Sequence, residues 1–133
     1  MDSKELIKLA GKARRASYSP YSGYAVGAAL LCADGTVYTG CNIENAAFSP
    51  TVCAERTAFF KAVSECKRDF AKIAIVGGKA DEPDGFSPPC GVCRQVMAEF
   101  CGKDFEIILL QDGEIVSKKL SEILPLGFDS SVM

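Results

Sequence analysis

A chain of 133 residues has room for one domain and buries about two-thirds of the surface that its unfolded form exposes. Its formal net charge of -2 supplies no long-range attraction for nucleic acid or anionic lipid, so a small, weakly charged or neutral substrate suits it better than either. The composition contains no histidine, which excludes Ser-His and Cys-His nucleophile pairs, His-ligated zinc and histidine general bases. Acid-base work must fall to carboxylates, lysines, tyrosines or thiols.

Asp2 with Glu5 has the form of a capping box, and Leu6, Ile7, Ala10 and Ala13 recur at helical spacing, so a first helix is expected to about Ala16. Ser19-Pro20-Tyr21-Ser22-Gly23 breaks it. Tyr24 to Cys32 then reads as a strand whose small residues Gly27, Ala28 and Ala29 let another element pack closely. Asp34-Gly35 is a tight-turn signal that pairs this strand with Thr36 to Cys41 as a hairpin.

Ser49-Pro50-Thr51 offers capping residues and a proline suited to a first turn, ahead of a helix over Cys53 to Cys66. Ala71 to Val76 is a β-branched run ended by Gly77-Gly78, and a turn-rich loop over 79–89 leads into another helix near Cys90. Phe105 to Leu110 and Glu114 to Leu120 flank Gln111-Asp112-Gly113 as a second hairpin. A short segment, Ser121 to Leu124, and the tail Pro125 to Met133 close the chain. This order of elements predicts an α/β fold of three layers, α/β/α, with one mixed five-stranded sheet whose last two strands form an antiparallel hairpin. No internal repeat and no apolar run of membrane-spanning length interrupts it, and Met1 to Glu5 lacks the basic start of a signal peptide, so a cytoplasmic protein is expected.

The chemistry concentrates in Cys53-Ala54-Glu55 and Pro89-Cys90-Gly91-Val92-Cys93. Residues three apart on a helix share a face, so Cys90 and Cys93 can reach one ion, with Cys53 completing a set of three thiols. Three thiolates leave the fourth position of a tetrahedral zinc open to water, whereas a fourth, from Cys41, Cys66 or Cys101, would close the site into a structural knot. Glu55 is the natural proton carrier beside such a site. Three thiolates overcompensate the ion's charge. The two helix N-termini and Arg56, three residues after Cys53, can offset that excess. The seven cysteines do not suggest a disulfide framework, because the chain lacks the signal and the loop-rich brevity of secreted scaffolds.

Pro20-Tyr21-Ser22 with Val26 to Leu30, Asn42-Ile43-Glu44-Asn45-Ala46, Cys53 to Ala58, and Ser87 through Gln95 together resemble the cytidine deaminases of the small, homotetrameric, all-cysteine zinc type. The resemblance covers nearly the whole chain as a single deaminase domain, residues 1–133. It implies one Zn²⁺ per subunit on Cys53, Cys90 and Cys93, with Glu55 shuttling protons while water replaces the amine at C4 of cytosine and ammonia leaves. It implies further that Asn42 and Glu44 read the ribose, that the main chain at Ala54 and the carbonyl of Pro89 face the base edge, and that Tyr24 packs on the pyrimidine. Phe128 would close a neighbouring subunit's pocket in a homotetramer. The substrates implied are cytidine and 2′-deoxycytidine, in pyrimidine salvage. Phe48 stands where the family commonly has tyrosine, which removes one hydroxyl contact to the substrate.

Overall fold

The computed structural model describes residues 1–133. One five-stranded sheet runs in the order β2-β1-β3-β4-β5, from β1 (Tyr24–Cys32), β2 (Val37–Cys41), β3 (Phe70–Lys79), β4 (Glu106–Gln111) and β5 (Glu114–Lys119). Only β3 and β4 are parallel; the other neighbours are antiparallel, so the sheet is mixed. The parallel pair needs a crossover, which α3 (Gly91–Phe100) supplies. The β4–β5 turn carries positive φ at both Asp112 (51°) and Gly113 (78°), the combination that matches the twist of flanking strands in a two-residue hairpin.

Helices cover both faces. On one side α1 (Ser3–Arg14) sets Leu6, Ile7 and Ala10 against Ala29, Leu31, Ala74, Val76 and Ile108. On the other, α2 (Ala54–Ser64) and α3 bury Ala58, Phe59, Ala62 and Met97 over Leu30, Ile73, Ile75 and Ile107. Phe59 anchors this larger core, edge-on to Phe70 at 5.1 Å and stacked on Phe100 at 6.2 Å. A 4-residue helix, α4 (Leu120–Ile123), plugs its end through buried Leu120.

Two glycines set how closely the helices approach. A Cβ at Gly27 would collide with the Ala10 carbonyl and the Arg14 backbone of α1, and one at Gly40 with the Ala54 carbonyl, the Ala58 N–H and the Thr57 Cβ of α2. The second contact seats the start of α2, and therefore Cys53, on the sheet.

Several boundaries differ from the sequence expectation. The first helix ends at Arg14 rather than Ala16, because Arg15, Ala16 and Ser17 donate to the carbonyls three residues back and tighten the chain into turns, while the Arg14 guanidinium binds the carbonyls of Ala25, Glu82 and Lys79 and the Asp84 carboxylate. Strand β3 passes through Gly77-Gly78 instead of stopping at Val76, since β1 continues to pair with it as far as Tyr24↔Lys79. There the glycines make room: a Cβ at Gly77 would lie 2.7 Å from the Ser87 Cβ and 3.2 Å from the Tyr24 hydroxyl. Ser49-Pro50-Thr51 does not cap α2, for Val52 bridges back to Ile43 and Thr51 Oγ1 accepts the Asn45 N–H, which leaves Cys53 as N-cap. Of the Ser121 to Leu124 segment, Ser121 to Ile123 is helical, within α4, which Leu124 caps.

Gly27→Ala is expected to lower unfolding stability by about 2 kcal/mol, read from urea denaturation, because the rigid α1 backbone must retreat from the sheet. An unchanged midpoint would show that the helix does not depend on this approach.

Candidate active site

Cys53 and Cys90 are the N-cap residues of α2 and α3, both in extended conformation, and neither side chain caps its own helix. Their sulfurs are thereby free to meet across the gap between the two helices. Cys53 Sγ lies 3.6 Å from Cys90 Sγ, and Cys90 Sγ lies 3.6 Å from Cys93 Sγ one turn along α3. All three sulfurs fall within 4.8 Å of one another. Sulfurs bound tetrahedrally to zinc at about 2.3 Å stand about 3.8 Å apart, so the spacing fits the ion. Cys41, Cys66 and Cys101 do not join the cluster, so the set that this chain offers an ion is of three thiols.

The electrostatics also suit a dication. Hydrogen bonding from the Cys93 thiol, and then from Arg56 and Cys90, pulls the Cys53 thiol well below its ordinary value despite burial. Cys93 is pushed far up, first by its bond to Cys53 and then by burial and the negative groups around it. Three thiols this close cannot all ionise by themselves; a divalent cation lets them do so. Arg56 Nη2 reaches Cys53 Sγ at 3.3 Å, while its Nε is buried without a partner. The guanidinium and the two helix N-termini together bring positive potential to the sulfurs.

Glu55 occupies the first turn of α2, 4% exposed. Burial raises its carboxyl to about 7, with the Cys53 charge adding to the shift. A carboxyl so poised can both take and give a proton near neutral pH.

The substrate-side candidates cluster at the start of β1. Asn42 is buried, its Oδ1 accepting from Ser17 Oγ (2.5 Å) and the Val26 N–H (2.9 Å) while Nδ2 donates to the Tyr24 carbonyl (2.8 Å). One amide hydrogen of Asn42 remains for a ligand. Glu44 accepts the N–H groups of Tyr21 (3.0 Å) and Ser22 (3.1 Å) as well as the Ser22 hydroxyl, which hold it below the usual carboxylate range, the hydroxyl contributing most. Both side chains are thus engaged in local turn bonds, with hydrogen-bonding capacity left over. Tyr24 is 39% exposed, and Phe48, 73% exposed, packs edge-on to Tyr21 at 6.2 Å. Phe128 exposes its ring while its carbonyl accepts from Gln95 Nε2 at 2.7 Å. Ala54 and Pro89 are buried beside the thiols that follow or precede them in the chain.

Sequence reasoning did not single out Ser17, Thr57 or Arg94. Thr57 Oγ1 ties the first turn of α2 to the Cys41 carbonyl at 3.0 Å, and Arg94 Nε ties α3 to the Pro89 carbonyl at 2.8 Å. Arg94 directly follows Cys93, but adjacency gives no hint that its side chain folds back over its own helix start.

An α/β/α sandwich with three thiols at two helix N-termini and a buried glutamate two residues from one of them is the arrangement that a zinc-dependent hydrolase needs. Residues 1–109 match the family model of the cytidine and deoxycytidylate deaminase zinc-binding region, and the chain belongs to that family. It is 52% identical over 135 residues to a cytidine deaminase of Halalkalibacterium halodurans, covering 100% of this chain and 98% of that one. With a cytidine deaminase of Sporosarcina psychrophila it shares 50% identity over 129 residues, 96% of this chain and 92% of the other. The crystal structure of cytidine deaminase from Burkholderia pseudomallei superimposes with a TM-score of 0.88 at 43% identity, over 96% of this chain and 100% of that chain.

Cys90→Ser removes the thiol that neighbours both others and is expected to lose most of its zinc on dialysis, by metal analysis, with an unchanged far-ultraviolet circular dichroism spectrum. Zinc at the parental level would contradict a three-thiol site.

Proposed function

We propose that the chain hydrolyses cytidine to uridine and ammonia, and accepts 2′-deoxycytidine in the same site. The observation that carries this reading is the juxtaposition of three thiols 3.6 Å apart in sequence of contact with a buried glutamate two residues from one of them. Cys53, Cys90 and Cys93 would hold zinc, which would supply a Lewis acid able to make water acidic near neutral pH.

Glu55 takes a proton from the attacking water and carries it to N3 of the pyrimidine, then takes the remaining proton from the new C4 hydroxyl and delivers it to the departing amine. C4 gains an oxygen, its bond to nitrogen breaks, and ammonia carries away the amine. Pro89 presents its carbonyl, and Ala54 its main chain, to the base edge. Glu44 has three donors already and keeps lone-pair capacity for a ribose hydroxyl, while Asn42 has its one free amide hydrogen. No residue named here requires the 2′-hydroxyl, which is why the deoxynucleoside fits the same reading. Tyr24 packs on the ring, and Arg56 offsets the thiolate charge.

The exposed Phe48, Phe86, Leu126, Phe128 and Val132 suit subunit contacts, which supports a working form that is a homotetramer with one zinc per subunit and Phe128 closing a neighbour's pocket. No helix is long and apolar enough to cross a membrane. A cytoplasmic enzyme of pyrimidine salvage, with a free nucleoside rather than nucleic acid as substrate, is the setting this reading supports.

Zinc-loaded protein incubated with cytidine is expected to release uridine and ammonia in equal amounts, and chelation of the metal to stop it. Glu55→Gln should keep fold and zinc yet lose roughly 10²-fold or more in kcat. Turnover equal to the parent's would remove Glu55 from the proton path, and an inactive parent would overturn the reading itself.

Arg56→Gln should lower kcat at unchanged zinc content, because thiolate charge that Arg56 no longer offsets would reduce the Lewis acidity that zinc would supply. Equal activity at equal zinc would refute that role.

A further inference from the structure

The segment that leads into α3 has an unusual constraint. Pro88 and Pro89 have no N–H, so this stretch cannot be held by main-chain donation from either residue. The nearest main-chain pairing upstream is the Gly77–Gly85 bridge, five residues before Cys90. Pro89 is nonetheless fully buried. What holds its carbonyl is Arg94: Nε donates to it at 2.8 Å, while Nη1 of the same guanidinium donates to the Ile123 carbonyl at the end of α4 at 2.6 Å. The guanidinium thus braces the peptide immediately before a cluster cysteine against the far end of the chain. Its planar fork suits two acceptors held in fixed directions, which a lysine ammonium cannot reproduce.

We propose that Arg94 is a positioning residue that aims the Pro89 carbonyl at the 4-amino group of the substrate; this rests on the deaminase reading above. The carbonyl oxygen has two lone pairs, and Arg94 occupies one. The bond fixes the rotation of the Pro89–Cys90 peptide, so the second lone pair keeps a set direction for an amine donor. A residue acting in this way affects nucleosides that carry a 4-amino group and spares those that do not. The product uridine, with an oxygen at C4, has no hydrogen to donate there, which separates aiming of the carbonyl from general loosening of the site.

The test measures cytidine KM and kcat, uridine inhibition, and zinc content for the parent, Arg94→Gln and Arg94→Lys. Arg94→Gln is expected to raise KM for cytidine about tenfold, in line with loss of a charge-assisted hydrogen bond. Its uridine inhibition constant should shift less than about twofold, at parental zinc content. Arg94→Lys, which keeps the charge and much of the bulk, should recover only part of the loss and serves as the folded comparison if the glutamine variant is unstable. An active parent with unchanged cytidine KM in both variants would overturn the proposal alone. Equal weakening of cytidine and uridine would overturn it as well, leaving Arg94 a brace without influence on the amine. An inactive parent would defeat the deaminase reading and this inference with it.

Discussion

Mutual repulsion among three thiolates whose sulfurs lie within 4.8 Å is the constraint on which the site depends. Such a group is stable only with a cation at its centre and positive potential around it. The chain meets this by spending the N-cap positions of both α2 and α3 on cysteine, with neither side chain bonded to its own helix. Serine or aspartate there would cap the helices better, each by roughly 1 kcal/mol. The two helices accept weaker starts so that their unfilled first turns and Arg56 face the sulfurs.

The sheet makes that arrangement possible. Helix α2 must come close enough to bring Cys53 to Cys90, and Gly40 on β2 permits it, since any Cβ would strike the Ala54 carbonyl. The parallel β3–β4 pair obliges the chain to cross over through α3, which delivers Cys90 and Cys93 to the same end. Glu55 inherits its burial from the packing of α2 on the core, and its raised carboxyl follows from that burial.

Much of this was legible in the sequence because the signals were local. The Asp2/Glu5 capping box, the Asp112-Gly113 turn and the Cys90/Cys93 spacing each follow from residues within a few positions of one another, and each stands in the structure as expected. Errors fell where distant partners decide. Gly77-Gly78 reads as a strand end, yet β1 keeps pairing through it and Ser87 fills the space the glycines leave. Ser49-Pro50-Thr51 reads as a cap, yet the Val52–Ile43 bridge moves the helix start to Cys53. Arg94 was invisible for a like reason: its acceptors at Pro89 and Ile123 belong together only in three dimensions.

With zinc bound, the centre is expected to have three sulfur ligands and one open position. X-ray absorption at the zinc edge of the purified protein tests it most directly. The account predicts three sulfurs at about 2.3 Å and one oxygen or nitrogen at about 2.0 Å. A shell of four sulfurs would mean a closed structural site, and the hydrolytic reading would fall with it.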